Sequence, residues 1–110
     1  RIILIWGRIF SHICGQMSPV YKEINEVRSS ALSFDSIVPM KEARKHLPDR
    51  VLMGNVSTYA LEFGDPARVK ILTKSCMRNG SDIIAPACGL GMKSPLPNIQ
   101  AILACVKGEA

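Results

Sequence analysis

One pattern recurs four times along the 110-residue chain: a short apolar segment ends in a glycine or polar residue, and a helix-like segment follows. Strands are predicted at residues 9–13, 31–35, 50–55 and 82–88. Helices are predicted at residues 18–28, 40–46, 66–79 and 95–107, whereas residues 58–64 are expected to be a connection. Four strand–helix units in series imply a parallel sheet with right-handed crossovers.

This pattern predicts an α/β fold in which residues 1–110 form a single domain. A (βα)₈ barrel typically needs about 250 residues, so four consecutive βα units match half of one. An independent four-stranded parallel sheet is the alternative. Because the sequence starts with an apolar run and not with Met, we expect it to be a fragment of a larger protein.

Both arrangements bring the carboxyl ends of the strands to one edge, which is where barrel enzymes build their active sites. The polar residues expected at that edge are His12, Cys14, Asp35, Asn55 and Cys88. His12 and Cys14 are two positions apart, so on a strand both side chains point the same way. One imidazole and two thiolates, with a fourth position open, are typical ligands of a catalytic zinc ion. The alternative is an ordinary structural role for these residues.

Asp35 and Asn55 each have two interpretations. Asp35 could orient a ligand histidine or bind substrate, or its carboxylate could cap the loop after its strand. Asn55 could hydrogen-bond substrate, or it could satisfy loop backbone.

The other two cysteines, Cys76 and Cys105, fall in helical patterns and are expected to be buried free thiols. The spacing of the four cysteines fits no compact disulfide framework. In the last helix, an apolar set is expected to face inward: Leu96, Ile99, Ile102, Leu103 and Val106.

Charge and hydropathy argue against nucleic-acid and membrane partners. The net charge is +5, but the basic residues are scattered singly, as on a solvated helix surface. The apolar start is shorter than the roughly 20 residues of a membrane span, and Arg8 interrupts it. We therefore expect a cytoplasmic protein.

Several segments, in order and spacing, resemble the uroporphyrinogen decarboxylase superfamily. Within it they look like the corrinoid-linked branch, the methylcobamide:coenzyme M methyltransferases of methanogens and their bacterial relatives. The resemblance covers nearly the whole chain. The segments are Ser11-His12-Ile13-Cys14-Gly15, Phe34-Asp35, Leu52-Met53-Gly54-Asn55-Val56, Gly64-Asp65-Pro66, Asn79-Gly80-Ser81-Asp82-Ile83-Ile84-Ala85-Pro86-Ala87-Cys88-Gly89 and Ser94-Pro95-Leu96-Pro97-Asn98-Ile99.

The resemblance implies the C-terminal half of a (βα)₈ TIM barrel, with zinc bound by His12, Cys14 and Cys88. It also implies methyl transfer from methylcobalamin, carried by a partner corrinoid protein, to a small thiol such as coenzyme M; some bacterial relatives use tetrahydrofolate. The alternatives are a metal-free tetrapyrrole decarboxylase and a non-catalytic half-barrel. Open sheet edges on such a half-barrel predict self-association.

Overall fold

The computed structural model describes residues 9–108, and in this range the fold is α/β with a three-stranded parallel sheet. The strands, in the spatial order β1-β2-β3, are β1 (Phe10–Ile13), β2 (Ala31–Phe34) and β3 (Leu52–Met53). The helices are α1 (Tyr21–Ile24), α2 (Met40–His46), α3 (Thr58–Phe63), α4 (Pro66–Arg78) and α5 (Leu96–Lys107). No helix in the described range is both long and apolar enough to cross a membrane.

The fourth predicted strand, residues 82–88, runs parallel to β3 but does not form a continuous ladder with it. Isolated bridges join Met53 to Ile83 and Val56 to Pro86. Between these two bridges, the Gly54 carbonyl accepts a hydrogen bond from the Ser81 hydroxyl at 2.7 Å. The predicted parallel sheet is therefore confirmed for three strands, while the count of four βα units and the half-barrel stay predictions.

A buried core packs against the sheet whose edge carries the candidate site residues. All four residues of β2 are buried, as expected for a central strand covered on both faces. Leu32, Phe34 and Leu52 anchor one apolar cluster beneath the sheet. A second cluster, which includes Val56 and Val69, lies against the later helices.

The sequence predicted the bounds of two helices, α2 and α4, closely. The observed α2 has the predicted bounds, and α4 ends one residue before the predicted end. Asp65 caps α4, since its Oδ1 accepts a hydrogen bond from the Arg68 N–H at 2.8 Å, and Pro66 occupies the first helical position.

Helix α1 is shorter than the predicted helix at residues 18–28. The Arg50 guanidinium donates hydrogen bonds to the carbonyls of Asn25, Val27 and Ser29. These carbonyls therefore accept side-chain hydrogen bonds from Arg50 in an irregular turn, and not the backbone hydrogen bonds of a longer helix.

The connection predicted at residues 58–64 is wrong, because Thr58–Phe63 forms α3. Ser57 caps this helix: its hydroxyl accepts a hydrogen bond from the Ala60 N–H at 3.3 Å. The strand predicted at residues 50–55 is also longer than the observed β3.

The inward face predicted for α5 is largely wrong. Ile102 is buried, but Leu96, Leu103 and Val106 are exposed. The buried face instead carries Ala101, Cys105 and Asn98 beside Ile102. The Asn98 amide is accommodated there because it donates hydrogen bonds to the carbonyls of Leu61 and Gly64 at 3.0 and 2.9 Å.

Candidate metal centre

Strand β1 positions two of the predicted ligands close together. His12 lies on the strand and Cys14 follows it directly, and the distance from His12 Nε2 to Cys14 Sγ is 3.3 Å. Gly15 comes next with a φ of 93°, a left-handed conformation that glycine adopts without Cβ strain. The chain can therefore turn away immediately after Cys14.

Cys88 joins this pair from the segment that runs beside β3. One ligand atom from each of His12, Cys14 and Cys88 lies within 4.8 Å of the others, and all three residues are exposed. Tetrahedral zinc with the usual bond lengths holds nitrogen and sulfur ligands about 3.5 to 3.8 Å apart. The ligand atoms of the three side chains are thus close enough to surround one zinc ion, which would keep a fourth position for another ligand.

The two thiols of this cluster influence each other. Side-chain hydrogen bonding with Cys88 raises the pKa of Cys14 above its ordinary value. Desolvation and the negative charges of Cys88 and Asp35 act in the same direction. A bound cation has the opposite effect, since it favours the thiolate form of each ligand.

A cavity of about 220 Å³ adjoins the cluster, with His12 and Cys88 in its lining. Ser33 and Met53 also line it, because His12 pairs in register with Ser33, and Ser33 with Met53. Paired residues on neighbouring parallel strands point to the same sheet face. One row of side chains across three strands therefore forms part of the cavity wall.

Asp35 follows β2 and is half-buried beside this cluster. The Ser36 hydroxyl donates a hydrogen bond to its Oδ1 at 3.3 Å. His12 Nδ1, which faces β2, lies 2.9 Å from Ser33 Oγ, so its hydrogen-bond partner is Ser33 and not Asp35. Sequence reasoning missed Ser33, although it is the only polar residue within the apolar strand β2. A role for Asp35 in orienting a ligand or binding substrate stays a prediction.

Asn55 is buried and lies outside the cluster. Its Nδ2 donates hydrogen bonds to the carbonyls of Asp35 and Val38, and its Oδ1 accepts one from the Cys76 thiol at 3.5 Å. These contacts match the alternative in which Asn55 satisfies loop backbone. Substrate binding by Asn55 stays a prediction.

The helical cysteines behave as predicted. Cys76 and Cys105 are buried free thiols, whereas Cys14 and Cys88 are exposed free thiols. Burial raises the pKa of Cys76, which keeps this thiol protonated and unreactive.

Comparison with known proteins adds an independent observation. Residues 7–109 match the family described as Uroporphyrinogen decarboxylase (URO-D). The chain belongs to the uroporphyrinogen decarboxylase family.

Within the uroporphyrinogen decarboxylase family, this chain is similar to two methanogen enzymes. It is 32% identical over 96 residues to a methylcobamide:CoM methyltransferase of Methanosarcina barkeri, covering 84% of this chain and 28% of that protein. It is 32% identical over 98 residues to a methylated-thiol–coenzyme M methyltransferase of Methanosarcina mazei, covering 87% of this chain and 26% of that protein.

A solved methyltransferase structure is also similar to this uroporphyrinogen decarboxylase family member. The fold superposes on a methyltransferase from Methanosarcina mazei with a TM-score of 0.83 and 28% sequence identity. The superposition covers 90% of this chain and 30% of the other. The chain therefore spans less than a third of the length of these relatives.

Proposed function

We propose that this chain is the metal-binding part of a zinc-dependent methyltransferase, which moves a methyl group from a methylated corrinoid to a small thiol such as coenzyme M. The observation that carries the proposal is the cluster of His12, Cys14 and Cys88, with ligand atoms within 4.8 Å of one another. The printed names of the relatives, a methylcobamide:CoM and a methylated-thiol–coenzyme M methyltransferase, support the reaction class.

The proposed architecture is the C-terminal half of a (βα)₈ barrel, folded as a single domain. The TM-score of 0.83 against 30% of a methyltransferase chain supports it. In this arrangement, the ligands occupy the carboxyl ends of the strands, where barrel enzymes bind their substrates.

His12, Cys14 and Cys88 would hold the metal and leave its fourth position to the substrate thiol. Bound zinc would supply a Lewis acid that lowers the pKa of that thiol, so that it reacts as a thiolate. Two cysteinate ligands place negative charge beside the substrate sulfur, and we expect this charge to preserve more of its nucleophilicity than three neutral histidines would.

The overall reaction is a substitution at the methyl carbon. A sulfur–carbon bond forms as the cobalt–carbon bond breaks, the bonding electron pair stays on cobalt, and the thiol proton leaves to solvent. The methyl donor is carried by a partner corrinoid protein, which needs open access to the cluster. The exposure of all three ligand residues is compatible with such an approach.

The cavity beside the cluster is the proposed place for the thiol substrate. Its volume of about 220 Å³ suits a small molecule, and Phe10 and Met53 provide apolar walls. Apolar walls limit the access of water to the sulfur. A cytoplasmic location, where thiols stay reduced, is part of the proposal.

Metal analysis tests the ligands directly. Chain purified without added metal should contain about one zinc per molecule, as expected for one three-ligand site. Cys88→Ser should lose that zinc, whereas the control Cys105→Ser, which removes a buried thiol outside the cluster, should retain it. An unchanged zinc content in Cys88→Ser would overturn the ligand assignment.

Activity is tested with methylcobalamin and coenzyme M, following cob(I)alamin formation by absorbance. Methyl transfer that depends on zinc supports the proposal. Decarboxylation of uroporphyrinogen without methyl transfer would instead favour the tetrapyrrole decarboxylase alternative. A chain that binds zinc but does neither would favour a non-catalytic role.

A further inference from the structure

Ser33 lies directly beside His12 on the neighbouring strand. The two residues are register partners in the parallel pairing of β1 with β2, so their side chains share one face of the sheet. Ser33 is only 7% exposed, and its Oγ lies 2.9 Å from His12 Nδ1. Among the hydrogen bonds of residues 9–108, this is the one that the Ser33 hydroxyl makes.

The imidazole of His12 therefore has two distinct sides. Nδ1 faces the buried hydroxyl of Ser33, and Nε2 faces Cys14 Sγ at 3.3 Å. Because Nε2 contacts Cys14 while Nδ1 is occupied by Ser33, Nε2 is the nitrogen placed to share an ion with the thiols. A neutral imidazole binds metal through its unprotonated nitrogen, and the hydrogen bond at the other nitrogen decides which one that is.

We propose that Ser33 is a positioning residue for the metal centre, an inference that rests on the proposed ligand role of His12. Its hydroxyl accepts the Nδ1–H hydrogen bond and so reserves Nε2 for the metal. It also fixes the rotation of the ring, because Ser33 itself is held in a fully buried strand. Hydrogen-bond partners of this kind typically change metal affinity by 10- to 100-fold.

A hydroxyl suits this position for two reasons. It can accept or donate, so it can bond to Nδ1 in both neutral tautomers of the ring, and it accepts from Nδ1–H in the tautomer whose Nε2 is free to bind a metal. It also carries no charge, and it therefore adds none to a site that already brings two thiolates together. A carboxylate could only accept and would add a negative charge.

Metal affinity, measured by zinc competition with a chromophoric chelator, tests the role of Ser33. Ser33→Ala should bind zinc about 10- to 100-fold more weakly, whereas Ser33→Thr, which keeps the hydroxyl, should recover most of the affinity. The matched control is Ser29→Ala, which removes a hydroxyl that bonds Ser11 and not His12. It should leave the affinity unchanged.

Two further readouts separate positioning from a general loss of structure. In Co²⁺-substituted protein, the visible absorption bands should shift in Ser33→Ala and return in Ser33→Thr, while circular dichroism confirms folding. In zinc-loaded, ¹⁵N-labelled wild type, ring resonances should show a protonated Nδ1 and a metal-bound Nε2. This measurement needs no variant and decides the question even if Ser33→Ala does not fold.

The outcomes are distinct. A wild-type chain that takes up no zinc overturns the proposed function and this inference with it. A wild-type chain with one zinc, but with Ser33→Ala affinity within twofold of it, overturns the role of Ser33 alone. Metal bound through Nδ1 does the same.

Discussion

The side-chain nitrogen of Asn55 lies 2.6 Å from the carbonyl oxygen of Val38. The same nitrogen donates to the carbonyl of Asp35 at 3.0 Å, so the chain after β3 is tied to the loop after β2. The Cys76 thiol on α4 completes the arrangement by donating to Asn55 Oδ1. One buried amide thus joins two strand ends and a helix beside the candidate metal centre.

Asn55→Ala is expected to lower the free energy of unfolding by about 1 to 3 kcal/mol, because it leaves the buried Val38 carbonyl without a donor and removes one of the two donors to the Asp35 carbonyl. Urea denaturation followed by circular dichroism measures this loss. The control is Asn79→Ala, which removes a partly buried hydrogen bond to Ser75 and should cost about 1 kcal/mol or less. Equal losses in the two variants would contradict a bracing role for Asn55.

The exposure of the four thiols predicts their labelling. In native metal-free chain, iodoacetamide should modify exposed Cys14 and Cys88 but not buried Cys76 and Cys105, and all four should react in urea. Added zinc should protect Cys14 and Cys88 together. Mass spectrometry of peptides gives the rate at each site, and unchanged rates for both exposed thiols with zinc would count against the metal centre.

Asp82 should make stability depend on pH. The Leu52 N–H bonds its Oδ2 at 3.0 Å, and the Arg44 guanidinium pairs with the same oxygen. The Leu52 hydrogen bond, followed by the Arg44 interactions, lowers the pKa of Asp82 below its ordinary value, 3.8. The unfolded chain therefore protonates first, so the stabilisation is present above the ordinary pKa and is lost as pH falls through the folded value.

Asp82→Asn should therefore lower stability by about 1 kcal/mol at neutral pH, an amount limited by the half-exposed ion pair. The gap from wild type should narrow as the pH falls below 3.8, the ordinary pKa, and close once the folded chain is protonated too. Urea unfolding at several pH values measures it, with the exposed turn residue Asp49→Asn as the control. A gap that does not change with pH would show that Asp82 does not act through its charge.

Strand β1 is expected to promote self-association. Among residues 9–108 it pairs only with β2, and Phe10 on it is 54% exposed. Unpaired apolar edges invite pairing with another chain. Sedimentation velocity should show oligomers that increase with concentration, and Phe10→Lys should reduce them. A wild-type monomer at every concentration would refute this expectation.

Sequence alone could predict the elements that are specified by neighbouring residues. Helix α2 ends before Pro48, which cannot continue a helix, and α4 starts at the Asp65-Pro66 cap. The three candidate ligands could also be predicted, because parallel strands bring their carboxyl ends to one edge. Helix α3 had comparable signals in Ser57 and Gly64 but is only six residues long.

Features that depend on tertiary contacts could not be predicted. The buried face of α5 includes Asn98, whose burial depends on carbonyls of α3 and the residue after it. The contact of His12 with Ser33 requires the register of β1 on β2, which no local pattern specifies. The interruption of the fourth strand likewise depends on how its segment meets β3.

The position of Cys88 would couple the proposed metal uptake to folding. The segment before it is held to β3 by isolated bridges, so this part of the sheet has less backbone pairing than β1 and β2. An ion shared with His12 and Cys14 would bind all three side chains only when that segment is docked, and its stabilisation of the docked state would grow with the logarithm of the free metal concentration. The metal would thus cross-link Cys88 to two residues far from it in the sequence, and we expect its release to loosen the segment before Cys88 first.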